Sequence, residues 1–168
     1  MRIVFFDTDF ISNWHKDEEK FRVPIAATLH DLERLGDVAR MYTAINHHEL
    51  VVWGLRKQRR AALERFLREQ FSRPVAFDEI AARHAADLQE QSGTFPVRKK
   101  ETTKAAYVEE KDIWFRDVAM LGIARAHSAH AVVTCSRDLA RLFGAAVHPT
   151  RIILVEELSA ASVLGDAE

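Results

Sequence analysis

At 168 residues, 48% of them apolar, the chain is long enough to bury the core of one domain and too apolar to remain disordered. Its 24 basic and 25 acidic side chains nearly cancel, to a net charge of -1, which excludes a strong overall field toward nucleic acid; four carboxylates committed to a metal would leave a mildly basic remainder with modest phosphate affinity. One cysteine, Cys135, excludes an internal disulfide framework, no apolar run approaches the roughly 18 residues of a membrane span, and the opening MRIVFFDTDF turns acidic too early for a signal peptide, so a reducing, cytoplasmic setting is expected.

Residues 2–6 form a short apolar run rich in β-branched and aromatic types, broken by Asp7-Thr8-Asp9, which predicts a buried strand feeding a helix. After a polar, charged stretch over 16–23, residues 23–37 have helical spacing and end at Gly36, a C-cap candidate. A second strand fits 40–43. Asn46 opens an apolar helix through Trp53, and after Gly54 residues 57–71 read as a strongly charged helix closed by Pro74. Residues 78–91 are amphipathic, with Ala81, Ala85 and Leu88 on one face, and Gly93 and Pro96 end that helix. Residues 97–104 read as a basic loop. From 109 to 127 the chain is apolar nearly all round, predicting a helix buried on most sides. A strand over 131–134, a short helix over 136–143 and a last strand over 151–157 complete the order. Strands alternating with helices predict a single domain over 1–168, an α/β three-layer sandwich with a parallel central sheet flanked by helices, whose ligands gather at the carboxyl ends of the strands. Asp7, Ser136 and Asp138 fall just past such ends.

Each candidate acid has an ordinary reading beside the functional one. Asp7 or Asp9 can simply cap the helix that follows. Asn46 with Glu49 three residues on approximates a capping box, which would account for Glu49. Asp117 shares a helix face with Ile113, Met120, Leu121 and Ala124, where a carboxylate costs several kcal/mol unless paired, neutralised or bound to a cation; its ordinary reading is an ion pair with a distant arginine. Asp138 sits in the first turn of a short helix that Ser136 can cap, where an acid complements the helix dipole. The set says more than any member. Carboxylates gathered from distant segments raise one another's pKa unless a divalent cation compensates, and oxygen-only ligands suit magnesium or manganese rather than zinc. Such a cation activates water and neutralises charge on a phosphodiester without any protein nucleophile.

At these residues the sequence resembles the PIN-domain family, and within it the VapC-type toxins of toxin-antitoxin pairs. The run Val4 to Phe10 is similar to the family's first motif, an apolar strand ending in Asp-Thr; Glu49-Leu50 with Gly54 resembles the second; Asp117, Met120 and the run Ala124 to His127 resemble the third; Val132-Val133-Thr134 through Asp138-Leu139 resembles the fourth. The match covers most of the chain in the right order. Ser136 stands two after the threonine, where the family often has Asp or Asn, which leaves Asp138 as the nearest acid; Gly54 lies one residue further from Glu49 than the motif has it; and Asp112 competes with Asp117 for the third place without its downstream pattern. The resemblance implies a PIN-like, Mg2+- or Mn2+-dependent endoribonuclease cutting structured RNA, held inactive by a VapB-type antitoxin and forming a homodimer. It implies Asp7, Glu49 and Asp117 as catalytic metal ligands, Asp138 as a fourth ligand, and Thr134 as a polar support.

Two basic clusters, Arg56 to Arg60 and Arg98-Lys99-Lys100, fit solvated surface and, alternatively, a phosphate backbone. His47 and His48 adjoin Glu49 without a partner at zinc-ligand spacing. Trp14, Trp53 and Trp114 fit core or interface, and Cys135 a packed thiol. Two rival readings stand. Asp7-Thr8-Asp9 after a first strand also opens haloacid-dehalogenase phosphatases, with Asp7 as nucleophile and Asp9 as general acid. The other is a catalytically silent PIN fold acting as a binding module.

Overall fold

The computed structural model describes residues 1–92, 103–143 and 149–156. Four strands, β1 (Arg2–Phe6), β2 (Val38–Met41), β3 (Ala131–Thr134) and β4 (Arg151–Leu154), form one sheet in the order β2-β1-β3-β4. Every pairing is parallel: Arg2 faces Val38, Val4 faces Ala131, and Ala131 faces Arg151. Among the described residues seven helices cover it: α1 (Thr8–Lys16), α2 (Glu19–Arg34), α3 (Ala44–Arg56), α4 (Arg60–Gln70), α5 (Glu79–Ser92), α6 (Lys104–Ala126) and α7 (Arg137–Phe143). None of them is long and apolar enough to cross a membrane.

Strand periodicity divides the core into two. Val4, Phe6, Ala131 and Val133 pack with Phe10, Ile11, Phe21, Ile25, Leu50, Leu63 and Leu67 of α1 to α4. Phe5 and Val132 point the other way, onto Ala81, Ala85 and Leu88 of α5, the α6 residues from Trp114 to Ala124, and Leu139 and Phe143 of α7. The central strands therefore read as unbroken apolar runs because both of their faces are covered. This is the three-layer, PIN-like α/β sandwich that the alternation predicts. Trp14 and Trp114 are core aromatics as expected, the first set edge-on against Phe10, Phe66 and Phe71.

Several boundaries differ from the sequence reading. α2 begins at Glu19, four residues before the expected start, and carries Pro24 inside it, since burial of Phe21 and Ile25 favours the extra turn. β2 ends at Met41, because Thr43 leaves the strand to cap α3. α6 begins at Lys104, with Thr103 as N-cap, so the tail of the expected loop is helical; Arg98, Lys99 and Lys100 lie outside the described residues. Burial of α6 is confined largely to its second half: Ile113 is 45% and Phe115 41% exposed, whereas Val118 to Leu121 pack inward.

Two glycines have structural reasons. Gly36 takes φ +91° just past α2, the left-handed turn expected of it. At Gly122 an added Cβ would meet the Ala81 carbonyl oxygen at 2.6 Å and the Ala85 Cβ at 2.8 Å, so α5 and α6 approach closely only because the residue has no side chain.

Candidate metal centre

The chain runs from β1 out to β2 on one side and returns to β3 and β4 on the other, so the strand order reverses between β1 and β3. At such a switch point the helices leave in opposite directions and open a crevice at the carboxyl ends of the strands. Asp7 follows β1 directly and Thr134 ends β3, which places both at this crevice.

Asp7 is the N-cap of α1, so its ordinary reading holds, but capping occupies only part of it. One carboxylate oxygen accepts from the Thr8 amide at 2.6 Å and the other from the Thr134 hydroxyl at 2.8 Å. Thr134 Oγ1 in turn accepts from the Ser136 amide at 2.9 Å, giving it the supporting part implied above. Burial, then the charges of Asp9 and Glu49, push the Asp7 carboxyl up to about 7 against the pull of these hydrogen bonds.

Asp117 lies on the half-buried flank of α6 beside the buried Met120, Leu121 and Ala124. Among the described residues it makes no hydrogen bond or ion pair, so its ordinary reading as an arginine's partner is not realised. Its carboxyl is pushed up to about 8, first by burial and then by Asp7, Glu49 and Asp9, with only Arg116 opposing. These charges come from α1, α3 and α6, so the fold gathers Asp7, Asp9, Glu49 and Asp117 into one acidic cluster.

The capping explanation for Glu49 fails. Thr43 is the cap of α3 and forms a reciprocal box with Asn46: the Asn46 amide donates to Thr43 Oγ1 at 3.1 Å, and the Thr43 amide to Asn46 Oδ1 at 3.0 Å. Glu49 sits a turn further on and is free of backbone duty. Its Oε2 accepts from the Thr8 hydroxyl at 2.5 Å, and its Oε1 from the Arg116 guanidinium. Thr8 is held in turn by Asn46 Nδ2 at 2.9 Å.

Asp138 lies apart. Its side chain is 80% exposed and pairs with Arg141 at 3.2 Å, one turn along α7. Ser136 caps that helix by accepting from the Leu139 amide at 3.2 Å. Asp112 faces solvent, its carbonyl accepting from Arg116 Nε. His47 is turned to the Tyr42 hydroxyl at 3.2 Å, and burial pushes the Cys135 thiol up to about 11, leaving it protonated and unreactive.

Sequence reasoning missed three members of the cluster's surroundings. Asp9, which reads in sequence as a cap or a phosphatase acid, is exposed overall at the head of α1, and local desolvation and then Glu49 push its carboxyl up, with Lys16 opposing. Asn46 carried a signal, its spacing of three from Thr43. Arg116 carried none, because its partner is 67 residues away.

A hard divalent cation fits this donor set. The donors are all carboxylate oxygens, their neighbours' charges help to push Asp7 and Asp117 up, and among the described residues Asp117 is desolvated with no counter-charge bonded to it. Among the described residues no three His, Cys, Asp or Glu side chains yet stand in ligating geometry, and Glu49 is drawn off toward Thr8 and Arg116.

The sequence matches no protein-family model and no curated protein. Solved structures do match along nearly the whole chain. One is a chain of the VapBC2 structure from Rickettsia felis bound to a DNA fragment from their promoter, with a TM-score of 0.59 and 15% identity, covering 90% of this chain and 98% of that one. Another comes from a toxin-antitoxin complex from Klebsiella pneumoniae, with a TM-score of 0.61 and 13% identity, covering 92% of this chain and 99% of that one. At these identities the likeness is one of fold, and this chain shares its PIN-like architecture with a chain of each of these two structures.

Proposed function

We propose that this chain is a Mg2+- or Mn2+-dependent endoribonuclease, the toxin of a VapBC-type toxin-antitoxin pair, acting in the cytoplasm as a homodimer. The observation that carries the reading is the acidic cluster at the switch point, where Asp7 and Asp117 are desolvated carboxyls with raised pKa and no basic residue bonded to either. Structural matters alone do not favour such a cluster, since mutual repulsion and desolvation both oppose it. The shared fold with chains of toxin-antitoxin complexes supports the toxin assignment and the antitoxin partner.

Asp7, Glu49 and Asp117 would hold the cation, with Asp9 adding negative charge at its side. When bound, the cation supplies the Lewis acidity that activates water and offsets the charge growing on the phosphodiester. The chain's own groups do the positioning. Thr134 and the Thr8 amide fix both oxygens of Asp7, while the Asn46-Thr8 pair fixes one oxygen of Glu49. With a cation bound, one of these carboxylates would accept the proton of the attacking water. Asp138, if it takes part, does so only after leaving Arg141. The exposed Arg56, Lys57 and Arg59 at the corner between α3 and α4 offer charge to the RNA backbone.

The phosphatase reading gains nothing from the structure: Asp7, its nucleophile, is 7% exposed and hydrogen-bonded through both oxygens. A silent binding module is favoured by one observation, the engagement of Glu49 with Arg116. Calorimetric titration of Mn2+ separates the two. The enzyme binds the ion and loses it with Asp7→Asn, and it cleaves RNA only with the ion present; a wild-type chain that takes up no Mn2+ refutes the nuclease.

A further inference from the structure

We propose that Arg116 is a substrate-contacting residue of this site that the cation switches on: its guanidinium and a divalent cation compete for Glu49, and the guanidinium so displaced is the group that meets the phosphodiester. The inference rests on the cation-dependent reading above and deepens it. Both oxygens of Glu49 are already engaged, Oε2 by Thr8 and Oε1 by Arg116. Thr8 is itself anchored by Asn46 Nδ2, within a network closed by the α3 capping box, so it gives way less readily. Arg116 is the less anchored partner, with a side chain 44% exposed and, among the described residues, tied otherwise only by Nε to the Asp112 carbonyl at 3.2 Å.

Its position also suits the second part of the proposal. Arg116 precedes Asp117 on α6, so the two side chains leave the helix about 100° apart, and Arg116 reaches Glu49 from the edge of the cluster. On that side Arg116 lines a groove of about 630 Å³ together with Lys104, Val108, Glu109 and Asp112. With Arg116 neutralised by Glu49, the groove's remaining charges are Lys104 against Glu109 and Asp112, a net negative lining that does not attract RNA. Release of Arg116 from Glu49 removes that negative excess and frees a guanidinium at the groove's edge beside the acidic cluster, where its planar fork matches a phosphate better than a lysine does. The chain thereby gains affinity for RNA only once the cation is in place.

The test titrates Mn2+ into the wild type, Arg116→Gln, Arg116→Lys and Asp7→Asn by calorimetry. Removing the competitor tightens Mn2+ binding in Arg116→Gln by about fivefold, the scale of a half-exposed ion pair; Arg116→Lys falls between it and the wild type, and Asp7→Asn loses binding. At saturating Mn2+, Arg116→Gln raises KM for RNA more than it lowers kcat. Equal or weaker Mn2+ binding in Arg116→Gln, with wild-type binding intact, overturns the competition alone and shows Arg116 bracing Glu49 for the ion. An unchanged KM overturns its part in phosphate contact. If wild type and Arg116→Gln both fail to bind Mn2+, the nuclease reading falls and this inference with it.

Discussion

Asp117→Asn should stabilise the cation-free fold, and the gain should grow with pH. The unfolded carboxyl titrates near its ordinary 3.8, whereas the folded one is held up at about 8 by burial and by Asp7, Glu49 and Asp9. Below pH 4 the group is protonated in both states and contributes no difference. Between pH 4 and 8 the folded chain keeps a proton that the unfolded chain has released, so wild-type stability falls as pH rises, and above 8 the loss is complete. While the protonation difference is nearly full, the slope is about 1.4 kcal/mol per pH unit, or about 3 kcal/mol between pH 5 and 7. Asparagine has the carboxyl's shape and carries no charge, and Asp117 has no hydrogen bond to lose among the described residues. Urea denaturation of both chains at pH 5, 6, 7 and 8, without divalent ions, gives the difference directly. A difference that stays flat with pH, or an Asp117→Asn chain less stable at pH 8, refutes the claim that this carboxylate is desolvated and unpaired.

Other perturbations test the remaining parts. Mn2+ should raise the wild-type Tm more at pH 8 than at pH 6, because it binds the ionised acids, and should leave Asp117→Asn unmoved; differential scanning fluorimetry reads both. Gly122→Ala should cost about 1–3 kcal/mol in chemical denaturation, since its Cβ must push α5 away from α6 at the Ala81 carbonyl. Thr43→Ala should cost about 1–2 kcal/mol, the usual loss for a cap, and also weaken Mn2+ binding by loosening Asn46 and hence Thr8 and Glu49. Asp138→Ala should leave Mn2+ affinity within about twofold of wild type, given its exposed pair with Arg141; a large loss would bring Asp138 into the site.

The layers of the fold were legible because burial on both sheet faces turns a central strand into an unbroken apolar run. Val4-Phe5-Phe6 and Ala131-Val132-Val133 show this, all wholly buried, and both strands were placed at their observed bounds. Edges were harder. Tyr42 and Thr43 look like strand residues by propensity, yet the hydroxyl of Thr43 is worth more as a cap on α3 than as a rung of β2. That local competition misled the reading of the site as well. With Asn46 taken for the cap, Glu49 had a structural excuse; once Thr43 holds the cap, Glu49 is a half-buried acid with no helical duty, directed at the end of β1. Asp7 and Asp117 were readable singly, one from its place after a strand and the other from its apolar neighbours. The tie from Arg116 to Glu49 was not readable, because nothing periodic links residues 67 apart, and only the packing of α3 beside α6 brings them together. Sequence thus marks the candidate acids without deciding which of them lack an alternative use, since Asp7 does cap α1 and Glu49 loses its capping reading only in the folded chain. The tie between Arg116 and Glu49 exists only in the folded chain, so on the cation-dependent reading proposed above cation affinity should follow substitutions at Arg116 and Thr43 as well as at the acids themselves.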